Sequence, residues 1–313
     1  MTDSARLVIA TRRSELALWQ ANHVAALLRE LHDGLEVELL PLVTQGDRVL
    51  DRPLAQIGGK GLFLKELETA LLDGRADLAV HSMKDVPVVE TEGLPVDTVL
   101  QRANPFDGLL GRTADRLAGL ASGARVGTSS LRRQCQLRAL RPDLEIADLR
   151  GNINTRIGRL DAGDYDAIVL ACAGLERLGL QQRVTEVLAA PDWLPAPTQG
   201  TIGVQRRADD GSAARLLAPL QHPETAAVTR VERTIARRLE GSCQVPLAVF
   251  ARFEGDHLAV DALVGSPDGR RVLRCTASGA PSDADRVASE VAGDLLDQGA
   301  REIISALSES AAH

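Results

Sequence analysis

The sequence predicts an α/β protein: two doubly wound α/β domains followed by a C-terminal α+β domain with a three-stranded antiparallel sheet. Two stretches share one plan: strand, polar turn, helix, strand, loop, helix, and then a strand with a D-x-A-x-V or D-A-x-V core. Alternating strands and helices of this kind build sheets with helices on both faces. From His222 onward the character changes to one long helix, three strands joined by short turns and a closing helix. The chain has 313 residues, 44% hydrophobic and 25% charged, enough to bury several cores and too apolar to be disordered.

In the first block, Leu7 to Ala10 reads as a short buried strand and Thr11-Arg12-Arg13-Ser14 as a turn. Ser14 is placed to cap a helix through Leu16, Leu18, Trp19, Val24, Leu27, Leu28 and Leu31. Glu36 to Val43 is a second strand. Thr44 to Gly61 lacks periodicity and reads as a long loop, a feature that in compact domains is usually functional or mobile. Leu62 to Leu72 is a helix that stops at Asp73-Gly74, and Ala76 to Val80 is a buried strand that delivers His81-Ser82-Met83-Lys84-Asp85 at its C-terminal end.

In the second block, Arg125 to Gly127 is a strand, and Thr128-Ser129-Ser130 caps a helix that stops before Pro142. Glu145 to Leu149 is a strand, Arg150-Gly151-Asn152 a turn, and Ile153 to Leu160 a helix ending near Gly163. Tyr165 to Ala171 is a strand, and Ala173 to Leu178 begins another helix. Gln199 to Arg206 reads as a strand returning toward the first block. In the last block, Val228, Val231, Ile235 and Leu239 recur at helical spacing, Gly241 suits a left-handed cap, and Pro246 stops any continuation. The strands there are Leu247 to Phe253, Leu258 to Val264 and Arg270 to Thr276, and the closing helix has a break near Gln298-Gly299.

Composition excludes several functions. Aromatic residues are 2% of the chain, too few for base-stacking platforms, and a net charge of -7 disfavours general binding to nucleic acid or an anionic membrane. Any anion site is therefore a local Arg/Lys cluster in an acidic protein. No apolar run approaches the roughly 18 residues of a membrane span. The N-terminus shows no secretory pattern, so a reducing cytoplasm is the expected compartment. Cys135, Cys172, Cys243 and Cys275 form no C-x-x-C pair, the histidines are scattered, and no metal site is expected.

Four features carry chemistry. Gly58-Gly59-Lys60-Gly61 lacks the Ser or Thr that a phosphate loop needs after its Lys, and reads as a flexible hinge. Arg132, Arg133, Arg150, Arg156 and Arg177 gather around the strand ends of the second block, beside the hydroxyls and helix start of Thr128-Ser129-Ser130. One arginine alone would be a solvated helix face; the set suits a ligand with several carboxylates or phosphates, and Arg12 with Ser14 repeats the device. Asp85 is either a turn residue or a carboxylate placed to meet a cation or move a proton. A lone cysteine is usually a small buried hydrophobe. Cys243, flanked by Ser242 and Gln244 on a short loop, reads as a reachable thiol instead.

These residues stand in motifs that resemble the porphobilinogen deaminase (hydroxymethylbilane synthase) family nearly end to end. The motifs are Ala10-Thr11-Arg12-Arg13-Ser14, Gly46-Asp47, Gly59-Lys60-Gly61-Leu62-Phe63, Ala79 through Pro87 (AVHSMKDVP), Gly127 through Arg133 (GTSSLRR), Leu149-Arg150-Gly151-Asn152 and Gly241-Ser242-Cys243-Gln244-Val245-Pro246. The resemblance implies three domains: 1–100 with 200–218, 104–195, and 219–313, the first two like a two-lobed binding protein. It implies a dipyrromethane cofactor held by a thioether to Cys243, and porphobilinogen as substrate of a monomeric cytoplasmic transferase. By resemblance Asp85 is catalytic. Arg12, Ser14, Lys60, Ser82, Lys84, Thr128, Ser129, Ser130, Arg132, Arg133, Arg150, Gly151, Arg156, Arg177 and Gln199 bind cofactor or substrate. The chain departs from the family pattern at Gln56, at Ser242 and across Pro197 to Gln205. The rival from another class is a non-catalytic two-lobed anion-binding or ligand-sensing protein, which the expected lack of a secretory signal and the additional domain presenting Cys243 oppose.

Overall fold

The structure, a computed structural model, describes residues 6–48, 61, 63–240 and 245–311. Its contacts divide the chain into two compact units, Met1–Ala103 with Thr201–Ala226, and Asn104–Gly200 with Ala227–His313. Among the described residues no helix is long and apolar enough to cross a membrane.

The first unit is built on one five-stranded sheet. Its strands are β1 (Arg6–Arg12), β2 (Glu36–Leu42), β3 (Leu78–Ser82), β4 (Thr98–Val99) and β10 (Ile202–Arg206), in the order β2-β1-β3-β10-β4. β2 and β3 both run parallel to β1, while β10 runs antiparallel to β3 and β4. Successive residues of a strand face opposite sides, and the core divides accordingly. Leu7 and Ile9 pack with Ala21, Val24 and Leu28 of α1 (Glu15–Leu31) and with Ala213 and Leu217 of a late helix, Gly211–Leu217. Val8 and Ala10 pack on the other side with Leu67, Ala70 and Leu71 of a helix at Lys65–Leu72.

The second unit repeats the plan. The strands β5 (Asp107–Gly111), β6 (Arg125–Gly127), β7 (Glu145–Ala147), β8 (Ala167–Ala171) and β9 (Glu186–Leu188) lie in the order β7-β6-β8-β5-β9. β7 and β8 run parallel to β6, and β5 is antiparallel to β8 and β9. The helix Leu131–Leu140 covers one face through Leu137, while Ile153–Asp161 and Cys172–Arg177 cover the other through Ile157, Leu160 and Leu175. The same unit holds the helix Pro223–Arg238 from Ala227 onward and the antiparallel meander β11 (Leu247–Glu254), β12 (His257–Gly265) and β13 (Val272–Gly279). The helix Ala284–Asp297 packs on β12 and β13, and a second helix, Ala300–Ala311, follows the break at Gly299. In chain order the helices are α1, α2 (Gln45–Arg48), α3 (Lys65–Leu72), α4 (Leu131–Leu140), α5 (Ile153–Asp161), α6 (Cys172–Arg177), α7 (Gly211–Leu217), α8 (Pro223–Arg238), α9 (Ala284–Asp297) and α10 (Ala300–Ala311).

Several boundaries differ from the sequence reading. The stretch expected to be loop from Thr44 contains the helical turn α2, and residues 49–60 of it lie outside the described residues. α3 starts at Lys65, because Gly61 at φ 87 opens a turn whose carbonyl accepts from Leu64 and Lys65. β3 is shifted to Leu78–Ser82, so His81 and Ser82 belong to the strand. After α8 the described residue in the left-handed region is Glu240, φ 51; Gly241, expected in that role, lies outside the described residues. β4, β5, β9 and α7 were not foreseen.

Candidate active site

In the first unit, Ile9 and Ala10 pair in parallel with Leu78 and Ala79, so β1 and β3 end at one edge of the sheet, at Arg12 and Ser82. Ser14 caps α1 as expected, its Oγ accepting from the Ala17 N–H at 3.4 Å. The Arg12 guanidinium stands 4.0 Å above the Phe63 ring. That ring comes so close to α2 that a Cβ on Gly46 would lie 2.2 Å from it. The buried Gln20 on α1 donates from Nε2 to Ser82 Oγ at 2.8 Å.

A single 3-10 turn, Met83–Asp85, carries the next two residues of the motif. Met83 is buried and anchors the turn: its N–H donates to Thr201 O at 3.0 Å, and its sulfur occupies the notch left by Gly203, where a Cβ would lie 2.1 Å away. On this anchored turn Lys84 is half-buried and Asp85 is exposed.

In the second unit, three parallel strands deliver residues to one edge. Past β6, Ser129 Oγ donates to Leu149 O at 3.0 Å and accepts from the Leu149 N–H at 3.1 Å, which ties the ends of β6 and β7 together. Ser130 caps α4 by accepting from the Arg133 N–H. Thr128 Oγ1 accepts from the Ser130 N–H at 3.2 Å. Past β7, Gly151 has φ 107, and a Cβ there would meet Thr155 at 2.9 Å; the position demands glycine. Asn152 then caps α5, accepting from the Thr155 N–H at 2.8 Å, and Arg156 Nε donates to Gly151 O at 2.7 Å. Past β8, Arg177 at the end of α6 donates to Gly200 O at 2.6 Å, and burial pulls its pKa down to about 10.

Arg132 and Arg133 differ from the open cations that their sequence position suggests. Both are buried, and both pair with Asp107, the first residue of β5: Arg132 Nη1 to Oδ2 at 2.8 Å and Arg133 Nη2 to Oδ1 at 2.6 Å. Trp193 Nε1 and Gln199 Nε2 also donate to this carboxylate, at 2.8 and 2.9 Å. Burial alone would raise the Asp107 pKa, but the two guanidinium groups hold it well below the usual carboxylate range. Asp107 and Trp193 were missed by sequence reasoning. Among the described residues, two guanidinium N–H groups at this edge, Arg133 Nε and Arg150 Nη1, are buried with no hydrogen-bond partner.

Among the described cysteines, Cys135 and Cys172 are buried and Cys275 half-buried. Burial pushes their thiols up to about 11, 12 and 11 respectively, with Asp294 adding to the effect at Cys275. A thiolate is the reactive form, so none of the three is an activated nucleophile. Cys243 and Lys60, and the departures at Gln56 and Ser242, lie outside the described residues. The structure thus brings Arg12, Ser14, Ser82, Lys84 and Asp85 to one edge of the first sheet. It brings the Thr, Ser, Arg, Gly151 and Gln199 set to one edge of the second.

Comparison with known proteins gives these two edges a context. The family model described as "Porphobilinogen deaminase, dipyromethane cofactor binding domain" matches residues 7–215, and "Porphobilinogen deaminase, C-terminal domain" matches residues 226–297. A porphobilinogen deaminase of Xanthomonas oryzae pv. oryzae strain PXO99A is 54% identical over 301 residues, 96% of this chain and 99% of its own. The protein of strain MAFF 311018 matches to the same extent. Among solved structures, a methionine-binding protein superimposes with a TM-score of 0.45 at 13% identity, over 74% of this chain and 96% of its own, too remote to transfer a ligand. With both family models matched in order and these relatives covered almost completely, the chain belongs to the porphobilinogen deaminase family.

Proposed function

We propose that the two sheet edges divide the family's reaction between stabilising a cation and holding polyanions. The reaction is that of a transferase: four porphobilinogen molecules are joined head to tail, with loss of ammonia, into the linear tetrapyrrole hydroxymethylbilane of porphyrin and haem biosynthesis. The observation that carries the residue assignment is the pair of orphan guanidinium N–H groups on Arg133 and Arg150. Buried donors nearly always have partners, and these two, unmatched among the described residues, suit the carboxylates of a ligand. The acetate and propionate groups of a dipyrromethane have that chemistry. When bound, the dipyrromethane supplies a pyrrole with a free α-carbon as the growing end.

In this reading Arg132, Arg133, Arg150, Arg156 and Arg177 bind carboxylates, assisted by Thr128, Ser129, Ser130, Gly151 and Gln199 in the second unit. Arg12, Ser14, Ser82 and Lys84 do so in the first unit, and Lys60 joins them in binding cofactor or substrate. Asp85 is the catalytic carboxylate. Loss of ammonia from porphobilinogen leaves positive charge on the pyrrole fragment. An ionised carboxylate about 4 Å away lowers its energy by roughly 4 kcal/mol at an effective dielectric near 20. The exposure of Asp85 on an anchored turn suits a group that meets a substrate cation and moves a proton at its own oxygen.

Cys243 is the attachment point, a reading supported by its motif and by the raised thiols of Cys135, Cys172 and Cys275. The reading includes three domains with the boundaries given above, and a monomer that works in the cytoplasm without nucleic acid or membrane, in keeping with a net charge of -7. Intact mass tests it. The denatured wild-type protein is expected to be heavier than its sequence by one dipyrromethane, and Cys243→Ser to lack that mass. Wild-type protein made with the pathway intact but showing only its sequence mass would remove the covalent attachment.

A further inference from the structure

We propose that Asp107 is a positioning residue for loading the dipyrromethane, acting through Arg132 and Arg133; the inference rests on the reading of that edge as the cofactor-binding wall. Asp107 sits opposite Ala171 in the β5–β8 ladder, at the edge where β8 ends, and is fully buried. Each of its oxygens receives one guanidinium and one neutral donor: Arg132 and Trp193 at Oδ2, Arg133 and Gln199 at Oδ1. A carboxylate offers about four lone-pair sites, so this one is saturated and has no capacity left for a ligand. It is a fixed post.

The two arginines are fixed from a second side as well. Arg132 Nη1 donates to Leu194 O at 2.7 Å, and Arg133 Nη1 to Val169 O at 2.8 Å. Each guanidinium is therefore held to protein acceptors along part of its donor edge, while Arg133 Nε is buried and unmatched among the described residues. The charge count is equally specific. Two cations against one anion leave a single positive charge, which one ligand carboxylate would neutralise. Without the post, two buried guanidinium groups would repel each other in a poorly screened site and lose their orientation. Asp107 thus sets both the direction of the donors and the amount of charge offered.

The test uses Asp107→Asn in the full chain, prepared without porphobilinogen and checked for folding by circular dichroism. Loading is followed by intact mass after porphobilinogen is added. The expected result is loading at least tenfold slower than wild type, with part of the rate recovered in Asp107→Glu. A second readout separates positioning from mere stability: inorganic sulfate should raise the Tm of Asp107→Asn more than that of wild type, because the second guanidinium has lost its counter-ion. A folded Asp107→Asn protein that loads at the wild-type rate and responds to sulfate like wild type overturns the proposal. Should Asp107→Asn fail to fold, Trp193→Phe decides, since it removes one neutral donor and no charge. Loading slowed several-fold there supports the proposal, and loading at the wild-type rate overturns it. Wild-type protein that never gains the dipyrromethane mass refutes the cofactor-wall reading itself, which the Asp107 variants alone cannot do.

Discussion

Acidification should weaken the first unit through one side chain. His81 lies inside β3, buried, with Nε2 3.0 Å from Gln205 Oε1 on β10. The Gln205 amide is oriented by its own donor, which reaches Glu68 Oε1 at 3.0 Å and Leu94 O at 2.9 Å. Its oxygen therefore faces the ring, and His81 Nε2 carries the hydrogen. Burial lowers the His81 pKa from 6.5 to about 4; the bond to Gln205 and the charges of Glu68 and Asp85 act the other way, and Arg12 lowers it further. In the unfolded chain His81 takes up its proton near pH 6.5, but in the native state only near pH 4. The unfolded state binds more protons across that window, so stability is full above it, falls as pH drops through it, and levels off below. A shift of this size corresponds to about 3 kcal/mol. His81→Gln keeps an N–H donor and removes the titration. Urea unfolding of both proteins between pH 7 and pH 4 is the assay, and the stability difference should move by about 3 kcal/mol in favour of the variant as the solution is acidified. Parallel curves would refute the reasoning.

Three further outcomes follow from the site. Asp85→Asn keeps the shape of the turn and removes its charge, so ammonia release and bilane formation should fall roughly 10²–10⁴-fold in folded protein that retains its dipyrromethane; near-normal turnover would return Asp85 to a turn residue. Arg150→Leu should lose a charge-assisted contact of about 1.5–3 kcal/mol, read as slower cofactor loading by mass. Lys at that position should restore only part, because it keeps the charge without the fork, and an unchanged Leu variant would remove Arg150 from the wall. Gly46→Ala places a Cβ 2.2 Å from the Phe63 ring beneath Arg12. It should cost about 1–3 kcal/mol in urea unfolding and raise KM for porphobilinogen; no change in either would mean that the ring is free to move.

Much of this was legible because the signals are local. Ser14 and Asn152 cap the helices that follow them, and Gly151 has the positive φ that its turn requires. The meander of the last strands could be read from alternation and short turns. β5 could not, since Asp107-Gly108-Leu109-Leu110-Gly111 has the composition of a turn. Its glycines answer to packing instead: a Cβ on Gly108 would lie 2.9 Å from the distant Val184, and one on Gly111 would lie 1.8 Å from the Ala114 carbonyl oxygen in the following turn. Asp107 was invisible for the same reason, because its partners stand at Arg132, Arg133, Trp193 and Gln199. Reading Arg132 and Arg133 as part of a ligand-binding arginine set left out their counter-ion, Asp107, which lies far from them in sequence.

The place of β10 in the first sheet has a consequence for synthesis. β10 inserts between β3 and β4, and its Gln205 meets a residue 124 positions earlier. The core beneath it also waits for Ile202, Val204, Ala213 and Leu217. As the chain leaves the ribosome, β3 has an open ladder edge through the whole emergence of Asn104–Gly200, whose own five strands are by then complete. The second unit's sheet can therefore close before the first unit's, and the nascent first unit needs protection from stray strand pairing during that interval. A chain that terminates before Thr201 would keep every residue from Arg12 to Asp85 and still lack Thr201 and Gly203, which hold Met83, and with it Asp85, in place.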